Sequence, residues 1–237
     1  MGKLNVPTHV GIILDGNRRW AKERGLKSKD GHKAGFETLK RISKYIFKKG
    51  VKVLSVFAFS TENFKRSEEE VNYLMNLFLK GFKSSIKEFN ENNIKVVFSG
   101  RKEPLSDKVY KSMKELESKT QNNTGGILNI CLNYGGQAEI IDTTKKIARE
   151  IINGNISIED INEETFRKNL YNDLPYIDLL IRTSGEIRIS NFMLYSMAYA
   201  EMYFPSVNFP DFDEKEFDKA LEIYNKRDRR IGGNSKN

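Results

Sequence analysis

The segment Asp15-Gly16-Asn17-Arg18-Arg19-Trp20 sets one carboxylate beside two guanidinium groups, directly after an apolar run at 9–14. A lone carboxylate at the end of a buried strand is costly unless it is paired or binds a metal. Gly16 permits close backbone approach. Cations then recur at Lys22, Arg24, Lys27, Lys29 and Lys33. A helix is expected to start near Gly31, where free backbone N–H groups would favour an anion. One acidic side chain among many cations suits a diphosphate bridged to the carboxylate by Mg2+, a hard ion that prefers oxygen ligands. The same residues also suit a charged surface loop in which Asp15 caps a helix.

Other polar clusters follow other apolar runs. Ser60-Thr61-Glu62-Asn63-Phe64-Lys65-Arg66 follows the run at 53–59. Asn133-Tyr134-Gly135-Gly136 follows 127–132. Arg182-Thr183-Ser184-Gly185-Glu186-Ile187-Arg188-Ile189-Ser190 follows 178–181. In open parallel sheets ligands bind beyond the carboxyl ends of the strands. If the strands are parallel, these clusters meet on one rim and make an anion site. Any single one of them also suits an ordinary polar loop. Two histidines, His9 and His32, and one cysteine argue against zinc. G-x-S-x-G, the P-loop pattern and G-x-G-x-x-G are all absent, against hydrolase, kinase and dinucleotide chemistry.

The elements that must position these residues are legible as period. Apolar runs at 9–14, 53–59, 94–99, 127–132, 178–181 and 206–209 predict about six strands, several buried on both faces. Between them lie helical stripes. Leu39, Ile42 and Ile46 mark one. Ser67 with Glu70 forms a capping box ahead of Val71, Leu74, Met75, Phe78, Phe82, Ile86 and Phe89. Ser106 opens a third helix with Val109, Met113 and Leu116. Ile140, Ile141, Thr144, Ile147, Ala148 and Ile151 mark a fourth. Strands alternating with helices predict an α/β single domain with a mostly parallel sheet. No linker or repeat divides residues 1–237. Residues 1–8 and 232–237 are expected to be flexible.

Forty Lys and Arg against 32 Asp and Glu leave a net charge of +8, so an anionic partner is expected: nucleic acid, an acidic membrane surface or a phosphorylated small molecule. No signal stretch and no membrane-length apolar run is evident. Cys131 sits in an apolar run as a core residue, and without a possible intrachain disulfide a cytoplasmic protein is expected.

Together the motifs resemble the cis-prenyltransferase family, of the undecaprenyl diphosphate synthase or isoprenyl transferase type. The resemblance rests on Asp15-Gly16-Asn17-Arg18-Arg19-Trp20-Ala21 with Gly31-His32-Lys33, and on the stretch from Phe59 to Arg66. It continues through Leu128-Asn129-Ile130, Asn133-Tyr134-Gly135-Gly136, the stretch from Asp178 to Phe192, and Tyr199-Ala200-Glu201-Met202-Tyr203-Phe204. It covers nearly the whole chain. It implies a Mg2+-dependent condensation of isopentenyl diphosphate onto an allylic diphosphate such as farnesyl diphosphate, giving a long cis-polyprenyl diphosphate that serves cell-wall glycans. By resemblance, Asp15 binds the metal and assists departure of the allylic diphosphate. Gly16, Asn17, Arg18, Arg19, His32, Ser60, Thr61, Glu62 and Arg66 hold that substrate, and Trp20 and Phe64 flank its chain. Asn63 handles the proton. Arg182, Arg188, Ile189 and Ser190 grip isopentenyl diphosphate. Glu201 is a second metal ligand, reached from a partner subunit's side.

The resemblance also implies a homodimer, with the tail Arg229-Arg230-Ile231-Gly232-Gly233 crossing the interface. No nucleic acid is expected as partner, and membrane contact is expected only through the lipid product. Three positions depart from the family pattern: Ser28 stands between Lys27 and Lys29 where an arginine is usual, Phe64 where a tryptophan is usual, and Ser184 where a glycine is common. The product needs an apolar tunnel. The helix after Ser67, apolar at Leu77 and Leu79 off its main stripe, suits either a tunnel wall or a helix packed on two sides; Ala58 is a small residue near the entrance. A trans-type enzyme would need D-D-x-x-D, which is absent; Asp211-Phe212-Asp213-Glu214 instead starts the last helix. An RNA-binding module would need more aromatics than Trp20 among its cations.

Overall fold

The computed structural model describes residues 5–228. Six strands form one sheet: β1 (His9–Ile13), β2 (Val53–Ser60), β3 (Ile94–Ser99), β4 (Gly126–Tyr134), β5 (Leu179–Arg182) and β6 (Glu201–Tyr203). The order is β3-β4-β2-β1-β5-β6, and every pairing is parallel. The chain leaves β1 toward β2 on one side and later fills β5 and β6 on the other. The order therefore reverses beside β1, where a doubly wound sheet opens its crevice.

Helices cover both faces. They are α1 (Asn17–Glu23), α2 (Ser28–Lys48), α3 (Glu68–Glu91), α4 (Asp107–Thr120), α5 (Gly136–Ile152), α6 (Glu163–Lys168) and α7 (Glu214–Asn225). Val10, Ile12, Leu54, Val56, Val96 and Leu128 are buried with Leu39, Ile42 and Ile46 of α2 and Leu74, Phe78 and Phe82 of α3 in the larger core. Ile13, Cys131 and Tyr134 pack with Ile177, Phe192 and Met193 on the other face. Cys131 is fully buried, and burial pushes its thiol well above the ordinary range. Among the described residues no helix is long and apolar enough to cross a membrane.

Several expectations are corrected. The run at 206–209 is not a strand. The sixth strand is β6, an edge strand with only partial burial, which the apolar-run criterion passes over. Pro205 and Pro210 bracket 206–209, and proline removes the ladder donor a strand needs. The segment instead turns into a 3-10 helix, Phe209–Asp211, whose Phe209 N–H donates to Asp15 O at 2.9 Å. The helix expected near Gly31 starts at Ser28, so Gly31 lies inside it, and Arg18 and Arg19 sit on α1 rather than in a loop. On α5 the buried face is Gly136, Glu139, Thr143 and Ile147, while Ile141 is half exposed. Glu139 takes this inward place because Tyr134 Oη donates to its carboxylate. Of the ends expected to be flexible, residues 1–4 and 232–237 lie outside the described residues; in 5–8, Asn5 and Asn225 exchange hydrogen bonds at 2.7 and 3.0 Å, and Thr8 N–H donates to Asp178 at 2.8 Å. The tail from Arg229 to Gly233 lies outside the described residues.

Candidate active site

Asp15 follows β1 and Arg182 ends β5. Because Ile13 is the register partner of Arg182, the two side chains meet at the carboxyl edge of the sheet. Arg182 Nη2 donates to Asp15 Oδ2 at 2.8 Å. Arg182 Nη1 donates to Ser190 Oγ at 2.7 Å and to the Arg188 carbonyl at 2.6 Å. Asp15 Oδ1 accepts from Gly16 N–H at 2.8 Å and lies 3.5 Å from Arg19 Nη2. The Asp15 carbonyl is clamped by Thr183 Oγ1 at 2.6 Å and Phe209 N–H at 2.9 Å. The Arg182 side chain is only 5% exposed, against 26% for Asp15, so the pair faces solvent through the carboxylate.

Asp15, Asn17, His32, Ser60, Glu62, Asn63, Arg66, Arg182 and Ser190 line one cleft of about 710 Å³. The same cleft is also lined by the apolar side chains of Leu39, Leu74, Leu77, Phe78, Phe82 and Ile130. A shallower basin adjoins it, lined by Gly16, Arg18, Arg19, Lys22, Lys27 and Ser28. Lys27 therefore faces the basin beside Ser28, whereas Lys29 does not line it. Asn17 Oδ1 and Arg182 Nε are buried polar atoms without a hydrogen-bond partner, and both belong to cleft residues. Buried polar atoms are nearly always satisfied, so these mark a place for a polar ligand.

Local structure explains the placements. Asn17 is tucked against α2, where a Cβ on Gly31 would lie 2.0 Å from Asn17 O and one on Gly35 would lie 2.1 Å from Asn17 Oδ1. Two glycines on one face of α2 thus let α1 approach closely. Asn63 Oδ1 accepts from Ser60 N–H at 2.9 Å and fixes the 3-10 turn Thr61–Lys65. Burial pushes the His32 imidazole below its ordinary value, against the pull of Glu70.

Six of the sequence-predicted residues line neither the cleft nor the basin. The Trp20 indole N–H donates to Asp211 at 2.7 Å, with Arg24 4.4 Å over its ring. Phe64 packs edge-on against Phe59 at 4.9 Å and joins the core. Thr61 packs toward Gly135, and Ile189 against the smaller core. Arg188 is exposed and paired with Glu186. Glu201 pairs in register with Leu179, which is level with Val10; this puts it about 15 Å back along the strand direction from Asp15. Within one chain these two carboxylates do not meet.

The sequence reading also missed residues. Glu70 lies 3.0 Å from Arg66, 3.8 Å from Arg18 and 3.4 Å from His32. It had served only as half of a capping box. Ser67 Oγ does accept from Glu70 N–H at 3.4 Å, but the carboxylate turns to the cations instead. The i, i+4 spacing of Arg66 and Glu70 was the available signal. Glu186, 2.8 Å from Arg19, is the counterpart on the other rim.

The donor set defines what metal could be held. Among the described residues no three His, Cys, Asp or Glu side chains converge as a metal cage. Asp15 offers a partly exposed carboxylate in the cleft beside Arg19 and Arg182. Such a set fits an ion like Mg2+, which keeps waters and is bound through one or two carboxylates plus substrate phosphates.

The chain is similar to known proteins over nearly its whole length. The family described as "Putative undecaprenyl diphosphate synthase" matches residues 13–232. An isoprenyl transferase of Fusobacterium nucleatum is 50% identical over 97% of both chains. A farnesyl-diphosphate-specific ditrans,polycis-undecaprenyl-diphosphate synthase of Legionella pneumophila is 45% identical over 96% of both. The crystal structure of lavandulyl diphosphate synthase from Lavandula x intermedia, in complex with dimethylallyl diphosphate, superposes with a TM-score of 0.91 at 36% identity, covering 96% of this chain and 98% of that one.

Proposed function

Since the chain belongs to the undecaprenyl diphosphate synthase family, we propose that it condenses isopentenyl diphosphate repeatedly onto an allylic diphosphate, farnesyl diphosphate, to give a long cis-polyprenyl diphosphate such as undecaprenyl diphosphate. The observation that carries this is the Asp15–Arg182 pair in a cleft that is also lined by Leu39, Leu74, Leu77, Phe78 and Phe82. A diphosphate can sit among the cations while its hydrocarbon chain lies along Leu74, Leu77 and Phe78.

The reaction begins as the allylic C–O bond breaks and negative charge builds on the departing diphosphate. Arg18, Arg19 and Arg66 are prepositioned around that charge, and fixed dipoles and cations in a low-dielectric site lower such barriers most. Mg2+ bound by Asp15 and phosphate oxygens would add Lewis-acid stabilisation of the same charge. The Arg182 fork, with Ser190, holds the second diphosphate so that the alkene carbon faces the allylic centre. The isopentenyl alkene forms the new C–C bond to the allylic carbon, and the proton lost as the new double bond forms passes to an oxygen of the released diphosphate, oriented by Asn63, which Ser60 fixes. The growing chain then lies along the apolar lining of the cleft as its tunnel.

We assign the homodimer to the β6 edge, where Tyr199 is 66% and Met202 39% exposed and the strand has an open side. Glu201 lies on the same strand, so its proposed metal role requires the partner subunit. A nucleic-acid role is disfavoured because Trp20, the aromatic among the clustered cations, is covered by Arg24 and is not free to stack on a base. The deciding assay is incubation with farnesyl diphosphate, labelled isopentenyl diphosphate and Mg2+, followed by sizing of the lipids. Absence of elongated product would overturn the assignment.

A further inference from the structure

The chemistry above leaves Asn191 without a role, yet it joins three segments of the site. It stands in a turn where Ser190, Asn191 and Met193 hold positive φ of 48°, 65° and 37°. Such backbone is strained for residues other than glycine and persists only where its surroundings impose it. Here the start of α5 imposes it. Gly136 N–H donates to the Asn191 carbonyl at 2.7 Å, and Gln137 N–H donates to Asn191 Oδ1 at 2.9 Å. At the other end of the same amide, Asn191 Nδ2 donates to Glu62 Oε1 at 3.2 Å. Gly135 makes room for this bridge, since a Cβ there would lie 2.8 Å from Asn191 Nδ2.

The two turns joined in this way both line the cleft, one through Glu62 and Asn63 and the other through Ser190 and Asn191. Ser190, bonded to Arg182, precedes Asn191; Asn63 follows Glu62. We propose that Asn191 is a positioning residue for isopentenyl diphosphate: through Glu62 it sets the distance between the Arg182–Ser190 grip and the turn that carries Asn63. The inference rests on the prenyl-transfer reading and names a device within that site. The chemistry of the bridge requires an amide. The backbone N–H of Gln137 needs an acceptor, and the Glu62 carboxylate needs a donor. Aspartate would keep the first bond, and would cap α5 well, but would set like charges face to face at the second.

The test uses four full-length proteins: wild type, Asn191→Asp, Glu62→Gln and the double variant Glu62→Gln/Asn191→Asp. In the double variant the amide and carboxylate exchange places, so the bridge can re-form with glutamine as donor. Equilibrium binding of isopentenyl diphosphate, and its KM against kcat in elongation, are read for each. Asn191→Asp is expected to weaken isopentenyl diphosphate binding by about tenfold to a hundredfold, the scale of a small misplacement. The double variant is expected to recover most of that loss relative to Glu62→Gln. Wild-type affinity in Asn191→Asp would overturn the proposal, because a residue that merely caps α5 tolerates aspartate. A double variant no better than Asn191→Asp would overturn it as well. A wild-type chain that binds isopentenyl diphosphate but elongates nothing would sink the functional reading, while the bridge stays measurable by binding. Failure of the wild-type chain to bind it would sink both.

Discussion

The Arg182 guanidinium stands 2.8 Å from Asp15 Oδ2 because their strands are parallel neighbours and Arg182 is level with Ile13. Removing the carboxylate leaves a buried cation with one partner fewer and takes away the proposed metal ligand. Asp15→Ala is expected to keep its far-ultraviolet circular dichroism and to lose about 10²–10³ in kcat. Near-normal turnover would remove Asp15 from the proposed mechanism. Arg182→Lys should also fail, since a point charge cannot serve Asp15, Ser190 and the Arg188 carbonyl at once.

His9 gives a prediction about pH. A relay crosses the sheet: Asn172 donates to Ser99, Ser99 to Asn129, Asn129 to Ser55, and Ser55 meets His9 Nε2 at 2.8 Å. His9 Nδ1 donates to the Pro175 carbonyl at 2.7 Å, and in the neutral ring that burial favours Nε2 accepts from Ser55. Burial holds its pKa at about 4, below the ordinary 6.5. The stabilisation is complete above pH 6.5 and is lost as pH falls toward 4, on the order of 3 kcal/mol in all. Thermal unfolding of wild type between pH 7 and pH 4 should show this decline, and His9→Asn should flatten it. Equal slopes in the two proteins would count against the neutral-ring account.

Gly31→Ala tests how α1 is held. The added methyl would meet the Asn17 carbonyl at 2.0 Å, and a backbone atom cannot step aside alone. Overpacking of this kind costs about 1–3 kcal/mol, and it would shift the helix that carries Arg18 and Arg19. A lowered Tm together with a raised KM for the allylic diphosphate is expected. An unchanged KM would detach α1 from substrate binding.

Product length tests the apolar lining of the cleft. Ala58 and Phe78 both line it. Each five-carbon unit buried there gains roughly 4 kcal/mol, so the space available should decide where growth stops. Phe78→Ala is expected to lengthen the products and Ala58→Leu to shorten them, as read by chromatography of the extracted lipids. An unaltered distribution in both variants would argue that the chain grows elsewhere.

Much of the fold was written locally. β1, β2 and β4 are buried on both faces and read as continuous apolar runs, and Ser67 and Ser106 cap α3 and α4 with bonds of 3.4 Å. β6 escaped notice because an edge strand need not be apolar. The inward face of α5 was misread because Glu139 occupies it: buried polar pairs such as Tyr134–Glu139 carry no period. Trp20 and Phe64 belong to chemically suggestive motifs, yet Asp211, Arg24 and Phe59, distant from them or unremarkable in sequence, decide where their rings go.

The order of residues alone determined which groups stand at the carboxyl ends of the strands, because a strand's end and the loop after it are contiguous in the chain. It thereby determined that one acid and several arginines would share an edge once the strands lay parallel. Which of those groups touch was settled only by tertiary structure. Register between β1 and β5 sets Arg182 against Asp15, two glycines let α1 lie on α2, and Asn191 ties two turns more than 120 positions apart in the chain, at separations of 129 and 54 residues from its partners. Those contacts depend on sums of small packing displacements across the whole sheet, which no local pattern of residue types encodes.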